Sequence, residues 1–254
     1  MKLRIALLTF LLIVNGISAN SFTPAFVQKN TSQNDTLLPK VLEQLNLTDK
    51  DIRKELFVEK VLPDNKSLTV MVIPKISKKE FDADGNGYFE FDAYILVVES
   101  ETGKIISKFF EPKAWTSDAV VISSIEIDTA PFTLNSKARG FGIRVNYSGS
   151  SRPNPYNQTD FSLFIINGDS LKRVLKDYPI SEGHGEWDTN CAGKFENVES
   201  VISIGKQKSY GFNNIIIKQK ITKTKNSKIK DDCKEKSTIK HKSITLKFNK
   251  REYK

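Results

Sequence analysis

Histidine and cysteine are scarce, at two residues each in a chain of 254. With only His184 and His241 available, a histidine-rich metal centre cannot be assembled. Cys191 and Cys233 have no close Cys or His neighbour, which excludes the ligand spacing of a zinc site. No G-x-S-x-G elbow, Walker loop or dinucleotide glycine motif occurs, so serine-hydrolase, P-loop and Rossmann chemistry have nothing to rest on. Long apolar runs are also missing. The longest occupies residues 5–14, about half of the roughly 20 residues that a helix needs to cross a hydrocarbon core.

That short run follows Met1, Lys2, Leu3 and Arg4 and ends at Ile17-Ser18-Ala19. The order of charge, apolar stretch and small residues is that of a secretory signal, with cleavage expected after Ala19. No cysteine stands at the end of the run, so lipid attachment there is excluded. Export to a secreted or periplasmic compartment gives the two cysteines a natural role. A disulfide between Cys191 and Cys233 is expected, closing a loop of about 40 residues. Charge is unevenly spread within a net of +9. From Lys206 onward there are 16 Lys or Arg against 4 Asp or Glu, which leaves the rest of the chain slightly acidic. The C-terminal fifth is therefore the end that meets anionic partners.

Residues 20–36 are polar and show no apolar period, as a flexible leader would. Leu37, Leu38, Val41, Leu42 and Leu45 fall near helical spacing, and Thr48-Asp49-Lys50-Asp51 has the form of a capping box for a second short helix. From Leu56 the pattern changes to short runs rich in Val, Ile, Phe, Tyr and Thr between Gly, Pro, Asn and Asp. Strands are expected over 67–76, 88–99, 104–110, 120–128, 140–147, 160–167, 170–178, 196–204, 212–224 and 237–248. Gly103 and Asn167-Gly168 mark hairpin turns. The reading is a mainly β chain, an antiparallel β-sandwich or open barrel with one or two short N-terminal helices, residues 37–254 forming a single domain.

Four stretches carry candidate chemistry. In the first, Asp82, Asp84, Asn86, the Tyr88 carbonyl and Glu90 follow ligand positions of a calcium loop, with Gly87 at the sixth position for the sharp turn. Ala93 stands where an EF-hand needs a bidentate Glu, with Asp92 one residue early, and the flanks read as strands. The expectation is therefore a calcium-binding turn between strands, against a plain hairpin turn in which Asn86-Gly87 supplies positive φ. The second is the small, proline-stiffened loop between two strands that contains Ser148, Gly149, Arg152 and Tyr156, suited to recognition because ordering it costs little.

The third is Glu182-Gly183-His184-Gly185-Glu186-Trp187-Asp188. If extended, Glu186 and Asp188 share one side, the arrangement a glycan-acting enzyme would use as acid and base. The fourth is the lysine-rich C-terminal pair of strands. Lys218, Lys220, Thr222 and Thr224 share one face by period two, Ile217, Gln219, Ile221 and Lys223 the other. Such a face suits an anionic glycan or lipid headgroup. Nucleic acid fits less well, because aromatic residues that stack bases are not interleaved. Lysines on a terminal strand also prevent edge-to-edge association.

The segments Phe91-Asp92-Ala93-Tyr94, Ala114-Trp115-Thr116-Ser117-Asp118, Gly142-Ile143-Arg144-Val145, the Ser-Gly-Ser-Ser-Arg-Pro-Asn-Pro loop and Gly185-Glu186-Trp187-Asp188-Thr189-Asn190-Cys191 resemble a group of small secreted bacterial β-rich proteins, over roughly residues 55–254. That resemblance implies no activity. The loop from Ser148 to Tyr156 also resembles the S-G-x-x-Y loop of periplasmic lysozyme inhibitors, with six residues between Gly149 and Tyr156. It implies an inhibitor or immunity role. The function expected from the sequence is an exported, non-enzymatic binding protein that recognises a protein or cell-envelope ligand through its loops. The alternatives are an envelope glycan-acting enzyme using Glu186 and Asp188, and an electrostatic surface binder using the C-terminal lysines.

Overall fold

Apolar side chains recur at two-residue spacing from Val58 onward, and the backbone answers with strands paired to their neighbours almost throughout. A computed structural model describes residues 37–254. The expected signal sequence (1–19) and leader (20–36) lie outside the described residues. Among those described, one helix, α1 (Leu37–Gln44), and one 3-10 turn (Lys54–Leu56) precede the strands. These are β1 (Val58–Leu62), β2 (Asn65–Phe81), β3 (Gly87–Glu99), β4 (Ile105–Ser117), β5 (Val120–Thr133), β6 (Arg139–Gly149), β7 (Tyr156–Asn167), β8 (Ser170–Trp187), β9 (Gly193–Ser209), β10 (Phe212–Ile229) and β11 (Asp232–Leu246).

The strand order β1-β2-β3-β4-β8-β7-β6-β5 curls into a nearly closed barrel. The mainly β expectation holds, in its open-barrel form. Pairing is antiparallel except between β4 and β8, which meet in parallel through Lys108 and Ser170. The two ends of the path approach each other through side chains: Lys60 Nζ donates to the Ile127 carbonyl at 3.1 Å, tying β1 to β5.

Strands buried on both faces read as continuous apolar runs, and β2 and β3 are of this kind. Val70 and Val72, with Ala93, Ile95 and Val97, fill the barrel interior together with Trp115, Phe141, Ile143 and Phe164. The alternate residues Met71, Ile73, Leu96 and Val98 face outward and are covered by Leu37, Val41 and Leu42 of α1. Gln44 pins that helix, donating to the Gly103 carbonyl at 2.9 Å and accepting from Ile105 N–H at 3.1 Å. Gly103 takes φ 76° in the β3–β4 turn, the left-handed region glycine tolerates.

The second helix expected after Thr48 does not form. Thr48 N–H and Oγ1 both bond the Asp51 carboxylate at 2.7 Å, so the capping interaction itself is present. The chain then turns onto the sheet: Arg53 N–H donates to Pro74, Ile76 N–H donates to Asp51, and Ile52 is buried. Tertiary pairing with β2 takes the backbone groups a helix would have used.

β8 is the branch point of a single 11-stranded sheet. Its first residues pair with β7 inside the barrel, and Ser181–Trp187 also pair with β9. Between these parts the β7–β8 register shifts and Asp177 adopts φ 41°. Ser162 Oγ holds that residue by donating to Asp177 Oδ1 at 2.8 Å and accepting from Asp177 N–H at 2.9 Å. β9, β10 and β11 continue from β8, and Ile215 and Ile217 of β10 pack with Phe161, Leu163, Phe248 and Tyr253 on the outside of the barrel. A disulfide joins Cys191, in the β8–β9 turn, to Cys233 at the start of β11, with Cα atoms 5.6 Å apart. At a sequence separation of 42 the cross-link removes about 4 kcal/mol of chain entropy from the unfolded state in the loop-closure model.

Candidate functional site

Gly149 ends β6 and Tyr156 begins β7, so the connection is the six-residue loop 150–155. Ser150 through Asn154 are exposed. The loop is nevertheless anchored. Gly185 N–H donates to the Pro155 carbonyl at 3.1 Å and Trp187 N–H to the Pro153 carbonyl at 2.7 Å, so its descending limb pairs with the end of β8. Asn154 N–H bonds Ser151 Oγ at 3.2 Å, and the Arg152 guanidinium sits 5.7 Å from the Trp187 ring centre. Proline at 153 and 155 fixes two φ angles. Of the residues singled out from the sequence, Arg152 lies on the loop, whereas Ser148, Gly149 and Tyr156 lie in the strands that support it. The Tyr156 hydroxyl points away into a chain of bonds, to Gln158 at 2.5 Å and from there to Asp160 at 2.6 Å.

Four clefts border this loop. The largest, about 1170 Å³, opens between Ser150, the Asp82–Asn86 turn, Phe89 and Ser117. A second of about 480 Å³ lies between Arg152, Trp187 and the Cys191–Cys233 bridge. A third, about 660 Å³, is walled by Asn154, Trp187, Lys194 and Lys225. The fourth, about 610 Å³, is walled by Asn154, His184, Lys194, Lys225 and Lys236. The sequence pointed to the loop but not to the clefts, because their far walls come from distant strands, β9 to β11 for the three smaller clefts and β2, β3 and the β4–β5 turn for the largest.

The acidic turn is built as a hairpin. Asp82 Oδ1 accepts from Asp84 N–H at 3.0 Å and Asn86 N–H at 2.8 Å, and Oδ2 accepts from Asn86 Nδ2 at 2.9 Å. The Asn86 bonds, side chain first, hold the Asp82 carboxyl below the usual range. Positive φ falls on Gly85, at 82°, and not on the Asn86-Gly87 pair. Glu90 of the expected calcium set is engaged elsewhere: its Oε1 accepts from the Tyr88 hydroxyl at 2.8 Å, and its Oε2 lies 3.4 Å from Lys113 Nζ. Asp92, the carboxylate nearest the twelfth position, is buried in β3. It accepts from Lys113 N–H at 3.0 Å and from Lys75 Nζ at 3.1 Å. Burial alone would raise its pKa, but these bonds outweigh it and lower it. Among the described residues, no group of three or more His, Cys, Asp or Glu side chains has metal-holding geometry.

Glu186 and Asp188 sit on different elements. Glu186 is on β8, whereas Asp188 lies beyond the strand and caps the β8–β9 turn, its Oδ1 accepting from Asn190 N–H at 2.9 Å and Cys191 N–H at 2.7 Å. Those amides hold its carboxyl below the usual range. Glu186 is exposed at the edge of two clefts. The lysine-rich strands also differ from the sequence expectation. Lys218, Lys220, Thr222 and Thr224 do share a face of β10, but β11 adds Ser243, His241, Ile239 and Ser237 to it. Most of the lysine falls on the opposite face, because cross-strand register decides which β11 residues join each side. No helix among the described residues is long and apolar enough to cross a membrane.

No family model, curated protein or solved structure matches the chain.

Proposed function

We propose that the chain is an exported, non-enzymatic binding protein, secreted or periplasmic, which recognises a protein or cell-envelope ligand through loop 150–155 and the clefts beside it. One observation carries the reading: the loop is exposed at its tip yet held at its base by two backbone bonds to β8, and it borders four clefts. A loop ordered before binding loses little entropy when a partner docks. The disulfide at the same end is compatible with an oxidising compartment. An inhibitor or immunity role toward a lysozyme-like enzyme is the specific form suggested by the Ser148-to-Tyr156 sequence. Commitment of Asp188 to its turn disfavours paired-carboxylate catalysis.

The test is capture from the source organism's envelope and secreted fractions, run in parallel with the wild-type protein and an Arg152→Ala, Asn154→Ala variant of equal thermal stability. A partner retained at moderate salt by the wild type and lost by the variant supports the reading. An identical retained set for both proteins overturns it.

A further inference from the structure

The register of β8 to β11 sets lysines side by side. Lys225 of β10 is directly opposite Lys194 of β9 and also directly opposite Lys236 of β11, so three ammonium groups form a row across three strands. Directly opposed like charges destabilise a sheet. Lys240 and Lys242 continue the same face of β11, opposite Ile221 and Gln219, and Lys234 extends it toward the disulfide, opposite Ser227. All six are exposed. Neighbouring lysines are neutralised: on the same face Lys223 lies 2.6 Å from Glu196, and on the other face Lys220 lies 3.5 Å from Glu199. Among the described residues, none of the six has a carboxylate within 4.0 Å, including Glu186, which is opposite Lys194.

Protection of a free sheet edge accounts for lysine on β11, the outermost strand. It does not account for Lys194 and Lys225, because β9 and β10 are paired on both sides. Their uncompensated charge needs another explanation. Cross-strand neighbours are about 5 Å apart, and alternate residues along a strand are about 7 Å apart. Lys194, Lys225, Lys234 and Lys236 are linked by such spacings, which are inside the screening length of about 8 Å at physiological salt, and present one field. Lys240 and Lys242 form a second pair beyond Thr238, about 13 Å farther along β11. The disulfide fixes this end of the sheet by joining the β8–β9 turn to β11.

We infer that this face binds a linear polyanion carrying repeated phosphate or sulfate groups, laid across β9 to β11 and entering the clefts walled by Asn154, Lys194, Lys225 and Lys236. A single anion touches two lysines, whereas a polymer engages all six. By register no Phe, Tyr or Trp of β9 to β11 belongs to the face, and Phe195 and Trp187 edge the clefts singly without the repeated platform that stacking needs, so the ligand is recognised by its charge. The inference names a ligand class for clefts that adjoin loop 150–155, and to that extent rests on the binding reading above.

The test uses the exported, disulfide-bonded protein with fluorescent inorganic polyphosphate as probe, read by anisotropy. The wild type binds at 50 mM salt and loses about a hundredfold in affinity by 200 mM, as several released counterions require. Lys225→Gln with Lys236→Gln loses about tenfold at constant salt, whereas Lys66→Gln with Lys137→Gln, the same charge change elsewhere, loses less than about twofold. Absence of binding at 50 mM salt, or equal losses in the two double variants, overturns the inference. Binding to vesicles of phosphatidylglycerol but not to polyphosphate also overturns it, in favour of a membrane surface. Failure with polyphosphate leaves loop-dependent capture standing. Loss of loop-dependent capture with polyphosphate binding intact removes only the role of the loop.

Discussion

Arg173 and Glu111 face each other across the seam where β4 and β8 cease to pair, joined by two contacts of 2.5 and 2.8 Å. The backbone joins these strands through Lys108 and Ser170, and beyond that point side chains hold the barrel wall. Lys176 adds a third contact to Glu111 at 3.2 Å. The Arg173 bonds hold the Glu111 carboxyl below the usual range, against the opposing effect of burial. A carboxyl with a depressed folded pKa contributes stability that is complete above its unfolded pKa and lost as pH falls toward the folded one. Glu111→Gln is expected to cost about 1–3 kcal/mol at neutral pH, with the difference from wild type shrinking below about pH 4. Urea melts at several pH values read this out, and a pH-independent difference would assign the effect to packing.

Asp160 behaves in the opposite sense. Burial raises its pKa first, and Asp177 and Glu182 nearby add to the rise despite a hydrogen bond from Gln158. The folded protein then holds the proton more tightly than the unfolded chain, so stability from this site grows as pH falls through the folded pKa. Asp160→Asn keeps an acceptor for Gln158 and removes the charge. It is expected to melt higher than wild type at neutral pH and to converge with it in acid. A lower transition temperature at neutral pH would show that the ionised form is the stabilised one.

The close approach of β6 and β7 depends on Gly142. A Cβ there would collide with the ring of Phe161, which is fully buried in the outer core. Gly142→Ala is expected to cost about 1–3 kcal/mol by overpacking, and Phe161→Leu in the same chain to recover part of it. Additive losses in the double variant would place the strain elsewhere.

Calcium has to compete with three hydrogen bonds already made to the Asp82 carboxylate. Melting curves in millimolar calcium and in chelator are therefore expected to coincide, and Asp82→Ala to lower both equally. A higher transition temperature with calcium, abolished in Asp82→Ala, would mean that the turn opens to take the ion.

What was legible in the sequence follows from which forces are local. The apolar runs Val70–Ile73 and Ala93–Val98 announced strands, and the cysteines named their own bridge by being the sole pair. Helix α1 was visible in Leu37, Val41 and Leu42. The Thr48 box formed without its helix, because Ile52 and Arg53 found partners on β2, a contact no local pattern encodes. The same limit applied to the site. Arg152 and Asn154 stood out as a stiff polar loop, but the opposing walls at Lys194, Lys225 and Lys236 depend on strand register. One residue of slip in β11 would send its lysines to the other face.

Hydrogen exchange on the complex with a captured partner tests the binding reading most directly. Protection is expected in residues 150–155 and in the adjoining stretch 184–194, with α1 and β1 unchanged. Protection confined to α1 or β1, with 150–155 exchanging as in the free protein, would contradict it.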